Sequence, residues 1–223
     1  MDLQRRTANC SEVFGQHEGV RDDAALMTDA ALMTLARTDP GCFALVFDRY
    51  FVTIHRYIAR RVGPDLADDL AGDVFRVAFE RRESFDPHRE SARPWLYGIA
   101  TNLLHGERRG EERRLRALQR AAAAACVPLG VDAFERASER VDAEAVVASI
   151  GAAVGQLTQG DRDALILFAV EGLTYPEVAA VLTIPVGTVR SRISRARSRL
   201  RELLAASGQQ LSDWPDAEER LDG

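Results

Sequence analysis

Arginine is concentrated in residues 185–204, where six arginines stand against a single acid, Glu202. The planar guanidinium of arginine donates paired hydrogen bonds to phosphate oxygens and to the edge of guanine. This stretch therefore carries the chemistry of nucleic-acid binding. Its arginines are Arg190, Arg192, Arg195, Arg197, Arg199 and Arg201.

An apolar stripe predicts that residues 185–204 form one helix, with the arginines opposite its buried face. Pro185 suits the first position of such a helix, because its missing N–H has no partner there in any case. The apolar residues follow one another at spacings of four, three, four and three, at Val189, Ile193, Ala196, Leu200 and Leu203.

A shorter helix is predicted directly before it. Thr174 and Glu177 have the spacing of a capping box, so this helix begins at Thr174 and ends near Thr183. Its predicted buried residues are Val178, Val181 and Leu182. Two short helices, a tight turn and a cationic second helix are typical of a DNA-binding helix-turn-helix. The alternative is an ordinary amphipathic helix pair with a solvated basic face.

The net charge of the 223-residue chain is −5, which contrasts with this basic segment. Residues 185–204 carry +5, whereas residues 205–223 hold five acids and one arginine and carry −4. A basic DNA reader followed by an acidic tail explains the balance. With 46% apolar residues, a chain of this length can build two small domains with packed cores.

The sequence lacks the signals that are typical of several classes of protein. No run of about 18 apolar residues and no signal peptide is present, so we expect a cytoplasmic protein without a membrane span. Cys10, Cys42 and Cys126 are scattered, and no cysteine or histidine has metal-ligand spacing, which argues against disulfides and a metal site. Since no phosphate loop or nucleophile motif occurs, we expect no enzyme, no cofactor and no small-molecule substrate.

The remaining segments carry helical patterns, without a strand pattern of useful length. The third predicted helix from the N-terminus, over residues 65–82, has the apolar stripe Leu66, Leu70, Val74 and Val77. The predicted fold is all-α, with two small helical domains joined by a flexible linker, the second containing the helix-turn-helix. The other predicted helices cover residues 29–37, 40–62, 65–82, 94 onward, 141–157 and 161–171, with a loop over 84–93.

Composition sets the predicted domain boundaries. Residues 1–28 are polar and weakly patterned, which predicts a disordered extension in which Met27 is a second candidate start. The first helical domain follows over 29–114. An alanine run with Pro128 and Gly130 predicts a linker over 115–140. The second domain then covers 141–204, and the acidic tail covers 205–223.

Motifs in both domains resemble one bacterial family. GLTYPEVAAVL and IPVGTVRSRISRARSRLREL are similar to the promoter-reading segment of RNA polymerase sigma factors of the extracytoplasmic-function (ECF) type. FALVFDRYF, DLADDLAGDVFRVAFE, SFDP and PWLYGIATNLLHGERR occur in the order of that family's other helical domain. The resemblance implies that the first domain binds core RNA polymerase and the minus-10 element of promoter DNA, and that the second binds the minus-35 element. It also suggests an anti-sigma factor as a further partner.

The resemblance places the polymerase contact on the acidic third helix. Acids three and four residues apart form a negative patch on one helical face, which suits a basic partner. For Asp65 and Asp68 the alternative is stabilisation of the helix N-terminus. Gly72 replaces a glutamine of the family and costs about 1 kcal/mol of helix propensity, so we expect weaker docking. The matching residues are Asp68, Asp69, Asp73 and Phe75.

In the family, the loop before the fourth helix and the start of that helix capture an unstacked base of the minus-10 element. The chain has few aromatic residues there, which predicts weak melting and a strict promoter. A core position is an equal alternative for Trp95, and Gly98 removes one candidate phosphate contact. The matching residues are Phe85, Asp86, His88, Arg93, Trp95, Asn102, Arg108 and Arg109.

The minus-35 contact falls on the cationic helix. Thr183 stands in the turn where the family has glycine, and a β-branched residue at positive φ is costly, so we expect a local difference in the turn. The residues that match the family's reading positions are Val186, Gly187, Thr188, Arg190, Ser191, Ser194 and Arg195.

Two other classes of protein compete with this interpretation. A response-regulator-type transcription factor would use a similar helix-turn-helix without polymerase, but no α/β receiver pattern is visible. A helical adaptor that binds only protein would have no use for the basic helix. We therefore expect core RNA polymerase and promoter DNA as partners.

Overall fold

The structure, a computed structural model, describes residues 27–124 and 142–206. Within these residues it contains eight α-helices, two short 3₁₀ turns and no strand, which confirms the predicted all-α class. Its contacts divide the chain into two units, Met1–Gly110 and Glu111–Gly223. The helices are α1 Asp29–Thr38, α2 Phe43–Val62, α3 Pro64–Glu80, α4 Arg93–Ala124, α5 Asp142–Gly155, α6 Gln159–Ala169, α7 Tyr175–Leu182 and α8 Val186–Ala206.

The core of the first unit lies where α2 packs along α3. Phe47 stacks on Phe51 with ring centroids 4.8 Å apart, and Phe75 of α3 meets Phe47 edge-on at 4.9 Å. The prediction that Leu66 belongs to the buried stripe of α3 is wrong, because its side chain is 52% exposed. Alanines shift the buried face around the helix, and its members are Ala67, Leu70, Ala71, Val74, Phe75 and Ala78.

Local capping decides where the helices of the first unit begin. The Thr28 hydroxyl accepts the N–H of Ala31 and starts α1. Asp39 caps a 3₁₀ turn, Pro40–Cys42, so α2 begins three residues later than the proline predicted. Gly63, with φ of 83°, ends α2 and lets α3 begin at once.

Helix α4 continues to Ala124, ten residues into the segment predicted as a linker. Alanine has the highest helix propensity, so the alanine run extends the helix. The rest of that linker, residues 1–26 of the predicted extension and residues 207–223 of the predicted tail lie outside the described residues.

In the second unit, α8 packs against α5, α6 and α7. Its predicted stripe is buried from Val189 to Leu200, but Leu204, at 2% exposure, takes the last buried position in place of Leu203. Helix α6 begins at Gln159, two residues before the predicted start, because Thr158 caps it. None of the helices within residues 27–124 and 142–206 contains an apolar stretch that could span a membrane.

Candidate functional site

The capping box at the start of α7 is present as predicted. The backbone N–H of Thr174 donates to Oε2 of Glu177 at 2.7 Å, and the N–H of Glu177 donates to the Thr174 hydroxyl at 3.4 Å. Tyr175, Val178, Ala179 and Val181 are buried behind this start, whereas Leu182 is half-buried. The first helix of the motif is therefore fixed at its N-terminus by its own sequence.

The turn between α7 and α8 contains a left-handed threonine. Thr183 has φ of 54° and ψ of 48° and is the one non-glycine residue with positive φ within the described ranges. Its N–H still donates to the carbonyl of Ala179, which closes the last turn of α7. Its side chain is exposed. Thr183 thus adopts the left-handed conformation although its β-branched side chain makes this conformation costly.

The predicted reading residues lie on the side of α8 that faces away from the core. Val189 and Ile193 are 0% and 2% exposed and anchor the helix. Val186 and Thr188 are half-buried beside them. The remaining predicted residues are exposed, and they are Gly187, Arg190, Ser191, Ser194 and Arg195. The structure therefore brings five of the seven predicted minus-35 residues onto one accessible surface.

Two arginines of this surface are held by neighbouring helices. The guanidinium carbon of Arg190 lies 5.6 Å from the ring centroid of Tyr175 in α7. Nη2 of Arg195 donates to Oδ1 of Asp161 in α6 at 3.1 Å. Sequence analysis missed both partners. Such contacts limit the rotamers of a long side chain, so each arginine is presented in a restricted direction.

Two of the six arginines of this helix do not lie fully on the solvated face. Arg197 is half-buried with its guanidinium 5.6 Å from the ring centroid of Phe168 in α6. Arg192 is also half-buried. The prediction that all six arginines lie opposite the buried face is therefore wrong for Arg192 and Arg197. The helix repeat of 3.6 residues places these two at the edge of the packed face.

The loop before α4 contains both exposed and buried members of the predicted minus-10 set. Asp86 and His88 are exposed, and Oδ1 of Asp86 accepts the N–H of His88 at 3.0 Å. Phe85 is 1% exposed and packs edge-on against Trp95, with ring centroids 5.5 Å apart. Trp95 is half-buried. Phe85 therefore positions the loop from the core, and Trp95 has both a core contact and an exposed part.

Helix α4 carries the rest of that set. Arg93 is half-buried, with its guanidinium 5.5 Å from the ring centroid of Tyr97. Asn102, Arg108 and Arg109 are exposed. Asn102 and Arg109 are seven residues apart, so they lie on the same side of the helix and form a polar line along it.

The acidic residues of α3 have partners that the sequence interpretation did not assign. Asp68 hydrogen-bonds through Oδ1 to Nε2 of His55 in α2 at 2.8 Å. Asp73 accepts from Arg76, three residues on, at 3.1 Å. Asp69 is exposed, whereas Phe75 is 4% exposed. The accessible part of the predicted polymerase site is thus the row of carboxylates, with Phe75 supporting it from the core.

The described residues contain no group of histidine, cysteine, aspartate and glutamate side chains arranged to hold a metal ion. The candidate surfaces consist of exposed arginines, polar residues and carboxylates. Such groups suit contact with a polyanion and with a basic protein surface.

Comparison with known families agrees with these surfaces. The sigma-70 region 2 family model matches residues 46–114, which include α3, the loop and the start of α4. The sigma-70 region 4 family model matches residues 148–200, which include the helix-turn-helix. All three candidate surfaces therefore lie inside matched segments.

Curated relatives are sigma factors. The chain is 32% identical over 150 residues to the RNA polymerase sigma factor CnrH of Cupriavidus metallidurans, which covers 64% of this chain and 75% of that protein. It is 29% identical over 185 residues to the ECF RNA polymerase sigma factor SigW of Bacillus subtilis, covering 80% of this chain and 97% of that protein.

Solved structures give the same result. CnrH in complex with the cytosolic domain of CnrY matches with a TM-score of 0.57 and 29% identity, over 80% of this chain and 97% of that one. The sigma factor RpoE in complex with the anti-sigma factor NepR from Bartonella quintana matches with a TM-score of 0.55 and 25% identity, over 73% and 96%. The chain therefore belongs to the sigma-70 family, as an RNA polymerase sigma factor of the ECF type that directs promoter-specific transcription.

Proposed function

We propose that this sigma factor reads the minus-35 element of its promoters through the exposed side of α8. The observation that carries the proposal is the placement of Arg190 and Arg195, which are exposed on α8 and are in contact with Tyr175 and Asp161. Arginine is the usual bidentate partner of guanine, and a helix of this motif enters the major groove at its N-terminal end. Gly187 and Ser191 leave room for close approach.

The minus-10 element is contacted by the loop before α4 and by the exposed side of α4. Asp86, His88 and Asn102 offer hydrogen bonds to bases, and Arg108 and Arg109 offer charge to the backbone. Trp95 presents part of its indole beside the loop. Phe85 acts indirectly, since its buried ring supports Trp95.

Core RNA polymerase docks on the carboxylates of α3. Asp69 supplies an exposed charge, and Asp68 and Asp73 flank it with side chains that are 40% and 49% exposed. Phe75 has no accessible ring to offer and holds α3 in place against Phe47. A negative helical face of this kind complements a basic surface on the polymerase.

The chain has no catalytic step of its own in this proposal, because the polymerase carries out RNA synthesis. We place its action in the cytoplasm with the polymerase and the chromosome. Regulation by an anti-sigma factor fits the same scheme, since the RpoE relative of Bartonella quintana was solved with one. The response-regulator alternative is not favoured, because the region 2 match leaves no place for a receiver domain in residues 46–114.

Co-purification with core polymerase, followed by sequencing of transcripts that start in vitro, tests this function. Holoenzyme is expected to start transcripts at sites that share two upstream elements, whereas core polymerase alone is not. The free protein is expected to bind those promoters poorly. Tight binding by the free protein, as a dimer on a palindrome, would instead support a DNA-binding regulator.

A further inference from the structure

Helix α1 contacts both ends of the loop that precedes α4. Asp29, at the start of α1, is 4% exposed, and its Oδ2 accepts the backbone N–H of Ala92 at 2.7 Å. Arg37, near the end of α1, donates from Nη2 to the carbonyl of Phe85 at 2.5 Å. Eight residues of helix separate the two side chains, which is about 12 Å. Helix α1 therefore contacts the loop over residues 85–92 at the loop's first residue, Phe85, and at its last residue, Ala92. We call these two contacts the brace.

The Asp29 carboxylate acts as a helix cap from a distant part of the chain. Helix α4 begins at Arg93, so the N–H of Ala92 lies at a helix start, where backbone donors have no partner within the helix. The Ser91 hydroxyl reinforces the contact, because it accepts the N–H of Arg93 at 3.1 Å and donates to Asp29 at 3.2 Å. A negative charge at this end of a helix is also favourable.

Two residues of α2 hold the carboxylate in place. Arg49 donates from Nη1 to Oδ1 of Asp29, and the Tyr50 hydroxyl donates to Oδ2. Arg49 also donates from Nη2 to the carbonyl of Met27 at 3.1 Å, just before α1. With these partners the hydrogen-bonding capacity of the buried carboxylate is satisfied and its orientation is fixed. Removing either Asp29 or Arg49 alone would leave a buried charge unpaired. The brace is therefore rigid at the Asp29 end.

We propose that Asp29 and Arg37 are positioning residues for recognition of the minus-10 element. They fix the loop over 85–92 and the start of α4, and these segments hold Asp86, His88 and Trp95. Neither positioning residue is among residues 46–114, which the sigma-70 region 2 family model matches. The inference rests on the proposed minus-10 contact of the loop and of α4.

The test uses holoenzyme and two promoter libraries, one of single-base minus-10 variants and one of single-base minus-35 variants. Asp29→Ala removes a helix cap, and Arg37→Met removes a hydrogen bond to the loop. Each is expected to reduce the preference for the best minus-10 sequence about threefold or more, because the loop loses one of its two fixed ends. Preference within the minus-35 library is expected to stay unchanged. Asp29→Asn is expected to recover part of the preference, because its amide oxygen still accepts the N–H of Ala92.

Ile58→Val is the control for general loss of stability, since Ile58 is fully buried in the same unit and lies outside the loop. A less stable protein lowers output from every promoter by one common factor. If Asp29→Ala and Arg37→Met also scale all minus-10 variants equally, the brace does not position the loop. If Asp29→Ala fails to fold, Arg37→Met still tests the inference, because it leaves the buried carboxylate of Asp29 paired with Arg49 and Tyr50.

Trp95→Ala and Asn102→Ala, measured in the same assay, separate this inference from the proposed function. If they change minus-10 preference and the brace variants do not, only the positioning role is overturned. If none of the four variants changes minus-10 preference, both the contact and the brace are overturned.

Discussion

Nη2 of Arg195 in α8 lies 3.1 Å from Oδ1 of Asp161 in α6, and the two side chains are 60% and 13% exposed. The Asp161 carboxylate is thus sheltered, whereas the Arg195 guanidinium stays exposed on α8. Ion pairs of such exposure contribute little to stability. We therefore expect the pair to act on the direction of Arg195 more than on the folding of the domain.

Asp161→Ala is expected to relax base preference at the minus-35 position that Arg195 contacts, by about twofold to fivefold, because a free arginine samples more rotamers. Transcription by holoenzyme from single-base minus-35 variants measures this. Thr158→Ala is the control for the helix start, since it removes both hydrogen bonds between the Thr158 hydroxyl and Asp161 but keeps the carboxylate that Arg195 contacts. Equal effects of the two variants would mean that the contact between Asp161 and Arg195 does not set the base preference.

Thr183→Gly is expected to stabilise the protein by about 0.5–1 kcal/mol, because glycine takes the left-handed conformation without the steric cost that a β-branched residue carries. The exposed side chain has no packing to lose. Thermal unfolding measures the gain as a higher Tm. Thr183→Val keeps the branched Cβ and should show no increase, and a gain of the same size in both variants would argue against strain in the turn.

The double change Asp69→Ala and Asp73→Ala is expected to weaken binding to core polymerase, most strongly at low salt, because exposed charges are screened as salt rises. Fluorescence anisotropy of labelled protein with core polymerase measures the affinity. Asp48→Ala with Glu83→Ala removes the same net charge from exposed positions outside the acidic face of α3. If both pairs of changes weaken binding alike, the effect is overall charge and not a docking surface.

Tyr50 gives a prediction for alkaline pH. Burial raises the pKa of Tyr50 to about 12, and its hydrogen bond to Asp29 adds to the shift. Its proton is held more tightly in the folded protein than in the unfolded chain, where the pKa is about 10. The stabilisation is therefore complete below about pH 10 and is lost as pH rises towards 12.

Tyr50→Phe should accordingly lower the urea midpoint of unfolding at pH 8, and should lose less stability than the wild type between pH 8 and pH 11. Circular dichroism during urea titration at the two pH values measures both effects. A wild type and a variant that lose equal stability over this interval would show that the hydroxyl proton is not held by the fold.

Local sequence patterns predicted much of this structure. The capping box at Thr174 and the stripe from Val189 to Leu200 were found because each depends on residues within a few turns of one helix. The ends of helices were less predictable, as the extension of α4 to Ala124 shows. Burial of Leu66 was predicted wrongly, because alanines and Phe75 turn the packed face of α3 away from it.

Contacts between distant segments had no sequence signal. Asp29 and Ala92 are 63 residues apart, and Asp161 and Arg195 are 34 apart. In the sequence Asp29 is one helix-start acid among several, and its burial comes only from the packing of α1, α2 and the loop. Packing between α2 and α3 buries the ring of Phe75, and the ring of Phe85 is buried against Trp95, so these two residues support surfaces without lying on them.

Transcription from a complete set of single-base minus-35 variants, with Arg190→Ala, Arg195→Ala or Arg201→Ala holoenzyme, tests the central claim most directly. Arg201 is exposed further along α8 and serves as the control. Arg190→Ala and Arg195→Ala are each expected to cost about 1–3 kcal/mol of discrimination at particular positions, whereas Arg201→Ala should lower binding uniformly, with a salt slope reduced by at most about 0.9. If Arg190→Ala and Arg195→Ala scale all minus-35 variants by one factor, these arginines hold the DNA backbone and do not read its sequence.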